Sequence, residues 1–580
     1  MKRCPQCNRV ETDDALKFCR VDGVTLVGEW LALNAEAGTA QLSSGSVSTE
    51  IETSILAHRT DAHINRATAP TTVLQPQSAQ GSARELHRLK PRRAIVLTIA
   101  GVIVVALALY IYFYASRKSE TAIDSVAVLP FQNASGDPNV EYLSDGISEA
   151  LINSLTDLQQ LRVVARSTAF RYKGKDLDPQ QVGRELNVRS VLTGRVRQVA
   201  DTLDVQVDLV DATTGAQLWG QEYERKASDV ISVKQAIARE VTERLRLKLS
   251  GEEQQRLVKR DTTNAEAYEF YLKGRYYWNK RSVEGIRKAM EQFQQAIDKD
   301  PNYALGYVGL ADCYLLLGDY AAVPSNESLP KARVAVDRAL QLDDSLCEAH
   351  TSLASTYDRL WRWKEAELEF KRAISLNPNY ATAHHWFANY LVVKRQFDDA
   401  LRELQRAQEL DPLSPIIGST TAFVYLLKNN PDAAIEQCRK VIEVDPNFPT
   451  AHLYLGWSYL KQQHYKEAIP EFQKAVESSG RRAFNLANLG YCYAVTGRRG
   501  EALAILKELE EKYARREAFG VHLAEVCNGL GDKEQAFAWL ERDFQQHEVS
   551  LADIIAELGF EELRSDLRYA DLVRRMGLKP

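Results

Sequence analysis

Signatures of catalysis are missing from this sequence. Its 580 residues hold no phosphate-cradling GxxxxGK(S/T), no GxSxG elbow, no HExxH and no kinase-type HRD or DFG set. The ten histidines are scattered, and the neighbours His384 and His385 fall on different faces of a helix, which excludes shared metal chelation. The pairs Asp343-Asp344 and Asp398-Asp399 read as helix-start residues favoured by the dipole. Asp137 and Asp145 read as turn and cap residues before active-site acids. A protein that is not an enzyme is expected. Eight cysteines are too few for a disulfide scaffold in a chain this long, and Cys313, Cys347, Cys438, Cys492 and Cys527 read as small core residues. A net charge of −5 and a pI near 6.2 give no electrostatic case for a nucleic-acid partner. With 45% hydrophobic and 26% charged residues, the chain is long enough for several domains, each with its own core.

The other three cysteines cluster at the start. Cys4-Pro5-Gln6-Cys7 has metal-knuckle spacing, and Phe18-Cys19-Arg20-Val21-Asp22-Gly23 looks like its partner half. This segment, 1–30, resembles the short zinc-ribbon at the start of many bacterial membrane and signalling proteins, with Asp22 where a fourth cysteine is common. The resemblance implies a structural zinc held by Cys4, Cys7, Cys19 and Asp22; a decayed or redox-sensitive knuckle is the alternative. Residues 31–93 are rich in Ser, Thr, Ala and Gln, with too little apolar surface to offset ordering, so a disordered tether is expected.

Residues 94–115, AIVLTIAGVIVVALALYIYFYA, are apolar without one charge. At 1.5 Å per residue they span about 33 Å, the length of a single transmembrane helix. Arg84, Arg88, Lys90, Arg92 and Arg93 precede it, and Arg117 and Lys118 follow with Glu120 and Asp124. The positive-inside rule places the amino terminus in the cytoplasm and the rest outside, across the inner membrane.

Residues 125–250 read as an α/β domain in the order β-α-β-α-β-β-β-α. A strand at Val126 to Phe131, a helix capped at Ser144-Asp145, a helix from Pro179 to Leu186 and a hairpin joining Ser190–Val199 to Leu203–Val210 carry that order. SVAVLPF, YLSDGISEAL, NVRSVLTGRV and TGAQLWGQEYE resemble the TolB-type amino-terminal domain of bacterial envelope proteins. A similar domain followed by helical repeats occurs in membrane-bound winged-helix regulators, cyclases and kinases. The resemblance implies a sensory or docking half, here without the usual cytoplasmic effector.

Residues 264–548 repeat every 34 residues. Ala354, Ala388, Ala422, Gly456, Gly490 and Ala524 keep that step, and so do Ala366, Ala400, Ala434, Ala468, Ala502 and Ala536. Asn377-Pro378, Asp411-Pro412 and Asp445-Pro446 mark the turns between units. Small residues on both helices permit close packing. The unit resembles the tetratricopeptide repeat, in about eight copies, two earlier ones carrying insertions, including one around Ala321 to Leu329. Residues 549–580 lose the period and read as capping helices.

The whole is therefore expected to be multidomain: zinc-ribbon, one transmembrane helix, α/β domain and all-α tetratricopeptide solenoid. The residue after each small position is expected on the concave face, giving the column Ser355, Asn389, Phe423, Trp457, Tyr491 and Glu525. Asn389, Phe423, Trp457 and Tyr491 are the candidate contacts for a protein or peptide partner; inter-repeat packing of the aromatics is the alternative. A membrane-anchored adaptor is the first functional expectation. A signal-transducing receptor and a small-ligand α/β domain are the others.

Overall fold

The computed structural model describes residues 2–3, 10–11 and 27–28, and residues 123–579 except 176–177, 248, 259–261, 322, 549–550 and 553–557. Two compact units divide at residue 102. In the first, strands β1 (Lys2–Arg3), β2 (Val10–Glu11) and β3 (Val27–Gly28) form an antiparallel sheet in the order β2-β1-β3. The zinc-ribbon ligands Cys4, Cys7, Cys19 and Asp22, the tether 31–93 and the apolar run 94–115 lie outside the described residues. Among the described residues no helix is long and apolar enough to cross a membrane.

The second unit opens with a mixed sheet. Strands β4 (Ser125–Val128), β5 (Gln132–Asn133), β6 (Arg162–Val163), β7 (Ser190–Val199), β8 (Thr202–Asp211) and β9 (Gln217–Lys226) take the order β6-β4-β7-β8-β9, with β5 beside β7. β4 pairs in parallel with β6 and β7, and β7–β8–β9 is an antiparallel meander. In β8 the odd positions Leu203, Val205, Val207 and Leu209 are fully buried, the alternation of a strand with one face on a core. Helices α1 (Glu141–Thr156), α2 (Arg166–Ala169), α3 (Pro179–Leu186) and α4 (Val230–Arg244) complete the domain, and α5 (Gly251–Val258) leads onward. The helix expected to be capped at Ser144-Asp145 begins earlier, at Glu141. Asp145 is inside it, and its carboxylate binds Lys173 at 2.6 Å. Asp137 does cap, accepting from the Asn139 amide.

Eight helical hairpins follow. They are α6 (Ala265–Trp278) with α7 (Val283–Lys299), α8 (Ala304–Ala321) with α9 (Ser325–Leu342), α10 (Cys347–Arg359) with α11 (Trp363–Leu376), and α12 (Ala381–Val393) with α13 (Phe397–Leu410). Then come α14 (Pro415–Leu427) with α15 (Pro431–Val444), α16 (Pro449–Lys461) with α17 (Tyr465–Ser478), α18 (Ala483–Val495) with α19 (Arg499–Ala514), and α20 (Gly520–Gly529) with α21 (Lys533–Gln546). A 3-10 segment, Leu558–Leu563, and α22 (Leu567–Arg575) close the chain.

The small positions do what their size permits. A Cβ on Gly274 would sit 2.5 Å from the Phe293 ring, so α6 and α7 pack too closely for any larger residue. The second-helix alanines Ala366, Ala400, Ala434, Ala468, Ala502 and Ala536 are all fully buried. Inside each of the last six hairpins the turn is a Schellman motif. The left-handed residue recurs as Trp361, Arg395, Asn429, Gln463, Gly497 and Gly531, and the next amide donates back to the Tyr357, Leu391, Tyr425, Tyr459, Tyr493 or Cys527 carbonyl at 2.8–2.9 Å. Between hairpins the Asx residue folds onto its own loop: Asn377, Asp411 and Asp445 each cap the preceding second helix, their amides donating to Ala373, Ala407 and Val441. Asp343 belongs to this set and ends α9, so it is not the helix-start residue expected.

Histidines join the period as well. His350, His384 and His452 are each held 2.6 Å from a carboxylate nineteen residues on, Glu369, Glu403 and Glu471. The second ring nitrogen meets the carbonyl of Asp344, Pro378 or Pro446. These clasps tie a first helix to its own second helix and to the preceding turn. For His452, the Glu471 carboxylate pushes the imidazole pKa up, against burial.

Candidate functional site

The predicted contact column stands on the first helices of successive hairpins, and its members meet different fates. Asn389 is exposed. Phe423 is half-buried and stacks on Tyr454 of the next first helix, ring centres 4.9 Å apart. Trp457 and Tyr491 are only 5% and 7% exposed. The Trp457 indole donates to Asn488 Oδ1 at 2.6 Å and lies 5.3 Å from the Tyr491 ring and 5.8 Å from Phe472. Glu525 and Ser355 are buried too. An open aromatic stripe is therefore not what the column builds. Its large members lean onto the following first helix and fill the inter-repeat seam, and Asn389 with part of Phe423 remains as surface.

The same column runs earlier than expected, through Arg275 beside Gly274 and Asp312 beside Ala311. These positions carry a polar cluster. Ser352 donates to the buried Asp312 carboxylate at 2.5 Å, and burial pushes that carboxyl up to about 6. Arg275 turns to the α/β domain. There Glu149, on α1 and 3% exposed, accepts from Arg275 Nε at 2.7 Å, Arg166 Nε at 2.7 Å and Asn279 Nδ2 at 2.9 Å. Burial opposes the Glu149 charge, but Arg275 and Arg166 outweigh it and hold the carboxyl below its usual range. A Cβ on Gly146, one turn earlier, would lie 2.9 Å from Leu272, so α1 and α6 are in direct backbone-close contact. One apolar core continues from Val126 in the sheet to Leu317 in the second hairpin.

Three successive inter-hairpin turns grip the α/β domain from the other side. Asn377 donates to Asp157 at 3.0 Å, and Asn379 to the carbonyls of Leu158 and Leu161 at 3.2 and 3.3 Å. One period later Asp411 receives the Thr168 amide at 3.1 Å and its hydroxyl at 2.7 Å, with Ser167 beside them, while the Ala165 amide donates to the Leu410 carbonyl at 3.0 Å. A period further, Arg171 donates to the Val444 carbonyl at 2.9 Å and pairs with Asp445 at 3.7 Å. The turn residues that stop each helix thus also dock the neighbouring domain. Between α1, α4 and the first three hairpins lies a cavity of about 90 Å³ whose lining includes Asp157, Lys234, Tyr268, Tyr271, Tyr303 and Glu348.

Known proteins resemble this arrangement in parts. The family described as HilA/YgeH-like transcriptional regulator, second domain, matches residues 121–240, which is the α/β domain just described. The tetratricopeptide repeat family matches residues 271–322 and 424–483. A Rhizobium meliloti (strain 1021) protein, provisionally named adenylate cyclase 3, is 34% identical over 248 residues, 42% of each chain. The chain thus spans less than half the length of that relative. Among solved structures, Pseudomonas aeruginosa PilF is 22% identical, covering 37% of this chain and 93% of its own, with a TM-score of 0.30. YrrB, described as a tetratricopeptide protein with an unusual peptide-binding site, is 25% identical over 33% of this chain and 95% of its own, with a TM-score of 0.25. Cut9 in its complex with Hcn1 covers 60% of this chain and 63% of its own at 14% identity and a TM-score of 0.38. The carboxyl-terminal half is a tetratricopeptide array, of a kind that fits protein or peptide partners.

Proposed function

We propose that this chain is a membrane-anchored scaffold that captures a protein or peptide on the inner face of its tetratricopeptide array, outside the cytoplasm. The observation that carries the reading is the exposed Asn389 amide in mid-array, flanked by the partly open Phe423 ring, where the other column members Ser355, Trp457, Tyr491 and Glu525 are buried. An amide beside an aromatic supplies one directional hydrogen bond and one apolar contact, the minimum for reading an extended or helical segment. Residues 94–115 anchor the chain in the inner membrane, and the amino-terminal segment holds one structural zinc through Cys4, Cys7, Cys19 and Asp22 on the cytoplasmic side. Co-purification from solubilised membranes tests the scaffold: Asn389→Arg should lose the partner that the native chain retains while keeping its helicity, and equal retention overturns the reading. Zinc content of the purified chain, compared with Cys7→Ser, tests the metal.

A second reading, signal transduction across the membrane, draws support from the grip of three turns and Glu149 on the α/β domain. Domain and array are bound tightly enough for occupancy of one to be felt by the other. The match of that domain to part of a regulator family agrees with this reading, as does the cyclase name of the relative.

A further inference from the structure

The three histidine clasps need more protons than a neutral ring carries. His350, His384 and His452 share one position of the period, seven residues after the Asx that opens each turn. Each ring meets an acceptor at both nitrogens: a glutamate carboxylate 2.6 Å from Nδ1 and a turn carbonyl 2.8–3.0 Å from Nε2. A carbonyl and an ionised carboxylate can only accept. A neutral imidazole has one N–H, so it satisfies one of the two and turns a lone pair on the other. The imidazolium satisfies both.

The clasped turns are those that meet the α/β domain. His384 holds the turn whose Asn377 and Asn379 donate to Asp157, Leu158 and Leu161. His452 holds the turn of Asp445, the partner of Arg171, and His350 the turn whose Ser345 and Leu346 line the cavity against Asp157 of α1 and Lys234 of α4. The Asp411 turn docks without a clasp, with Gly418 at the position, and beyond the last docked turn the position passes to Leu486 and Gly520. In the second hairpin Tyr307 stands there, and its hydroxyl donates to the Pro301 carbonyl at 3.2 Å, a clasp that needs no second proton.

Other charged groups face these rings. Arg406, beyond Glu403 on α13, donates to Asn379 Oδ1 at 2.8 Å. Lys474 pairs with Glu471 at 2.9 Å and opposes a second proton on His452, and the Cys438 thiol on α15, also near Glu471, is pushed up to about 12 by burial. For His452 the hydrogen bond to Glu471 prevails and raises the imidazole pKa. Stability from such a clasp is complete below the unfolded value near 6.5 and is lost as pH rises through the folded one. Asp411, raised by burial, shifts stability in the same sense, so the clasps are read by difference against variants that leave it in place.

We propose that His350, His384 and His452 form a proton-set latch on the joint between array and α/β domain: doubly protonated rings hold the turns in their docking positions, and loss of one proton from each loosens the domain. The latch stands whatever the array binds. Replacing Glu369, Glu403 and Glu471 together by Gln gives each Nδ1 an amide donor, so that a neutral ring, keeping Nε2–H on the carbonyl, satisfies both contacts. His384→Tyr with His452→Tyr copies the Tyr307 arrangement and decides alone if the glutamine variant fails to fold. In the full chain, amide hydrogen exchange at 162–168 and 377–380, corrected for its intrinsic pH dependence, should be about five-fold or more faster at pH 8 than at pH 6, while α18 keeps one rate. In either variant that ratio should fall below about two-fold. A native ratio no greater than that of α18 overturns the proposal. So do variants that keep the native ratio, which would move the titration to Asp411 or another group.

Discussion

Replacing Glu149 with alanine should uncouple the α/β domain from the repeats. The carboxylate is 3% exposed and accepts from two guanidinium groups and an amide, with Arg275 Nη2 a further contact at 2.6 Å. Its removal leaves Arg275 and Arg166 facing each other in a buried site without an anion. Breaking a buried pair from one side costs about 3–5 kcal/mol, because the remaining charge is neither solvated nor paired. Arg166 also lies over the Phe170 ring at 3.8 Å, so its displacement disturbs α2, which the Asp411 turn holds. The assay is urea unfolding followed at once by helicity and by tryptophan fluorescence. The native second unit should unfold with coincident transitions, since one core spans the domain and the first hairpins. In Glu149→Ala the transitions should separate, the strand-rich domain losing the larger share of stability. Glu149→Gln, which keeps shape and one acceptor, should fall between. Coincident transitions shifted by less than about 1 kcal/mol in the alanine variant would refute the clamp.

Gly274→Ala should destabilise the first hairpin by about 1–3 kcal/mol, because its Cβ would meet the Phe293 ring; an unchanged melting curve would count against the packing. Gln463→Gly should stabilise by roughly 0.5–1 kcal/mol, since a left-handed turn favours glycine, and a lowered urea midpoint would contradict it. His522, buried and accepting the Phe519 amide on Nδ1, has its pKa pushed down by burial to about 4. A depressed histidine stabilises the fold above the unfolded value near 6.5 and withdraws that stability as pH falls toward 4. Asp543, raised to about 7 by burial, acts in the opposite sense, so the histidine is read by difference. Between pH 7 and 4.5 the stability gap between native and His522→Gln should move by roughly 2–3 kcal/mol in the variant's favour. No movement would mean that His522 already titrates normally.

The architecture was legible wherever one local rule repeats. Small residue, alanine and Asx-Pro turn recur because every hairpin solves the same close-packing problem, and strands such as β8 alternate because one face meets a core. The left-handed turns could have been read from Asn429, Gly497 and Gly531, and the clasps from His350, His384 and His452. Ala570, 34 residues after Ala536, already announced that the period continues into α22, where only a cap was expected. The candidate site was less legible. Trp457 and Tyr491 sit at the position that points inward, but whether such a ring faces solvent or the next helix depends on its neighbour, here Asn488. Glu149 with Arg275 and Trp363 with Met576 join residues 126 and 213 positions apart. Each occurs once, and an interaction that occurs once has no period to betray it.

Site-specific photo-crosslinking of the full chain in cells tests the inner-face reading most directly. A benzophenone side chain at Asn389 is compared with one at Leu368, which is 66% exposed on a second helix of the same array. The account predicts a discrete adduct from Asn389 and none from Leu368. Adducts of equal yield at both positions, or at Leu368 alone, would contradict it.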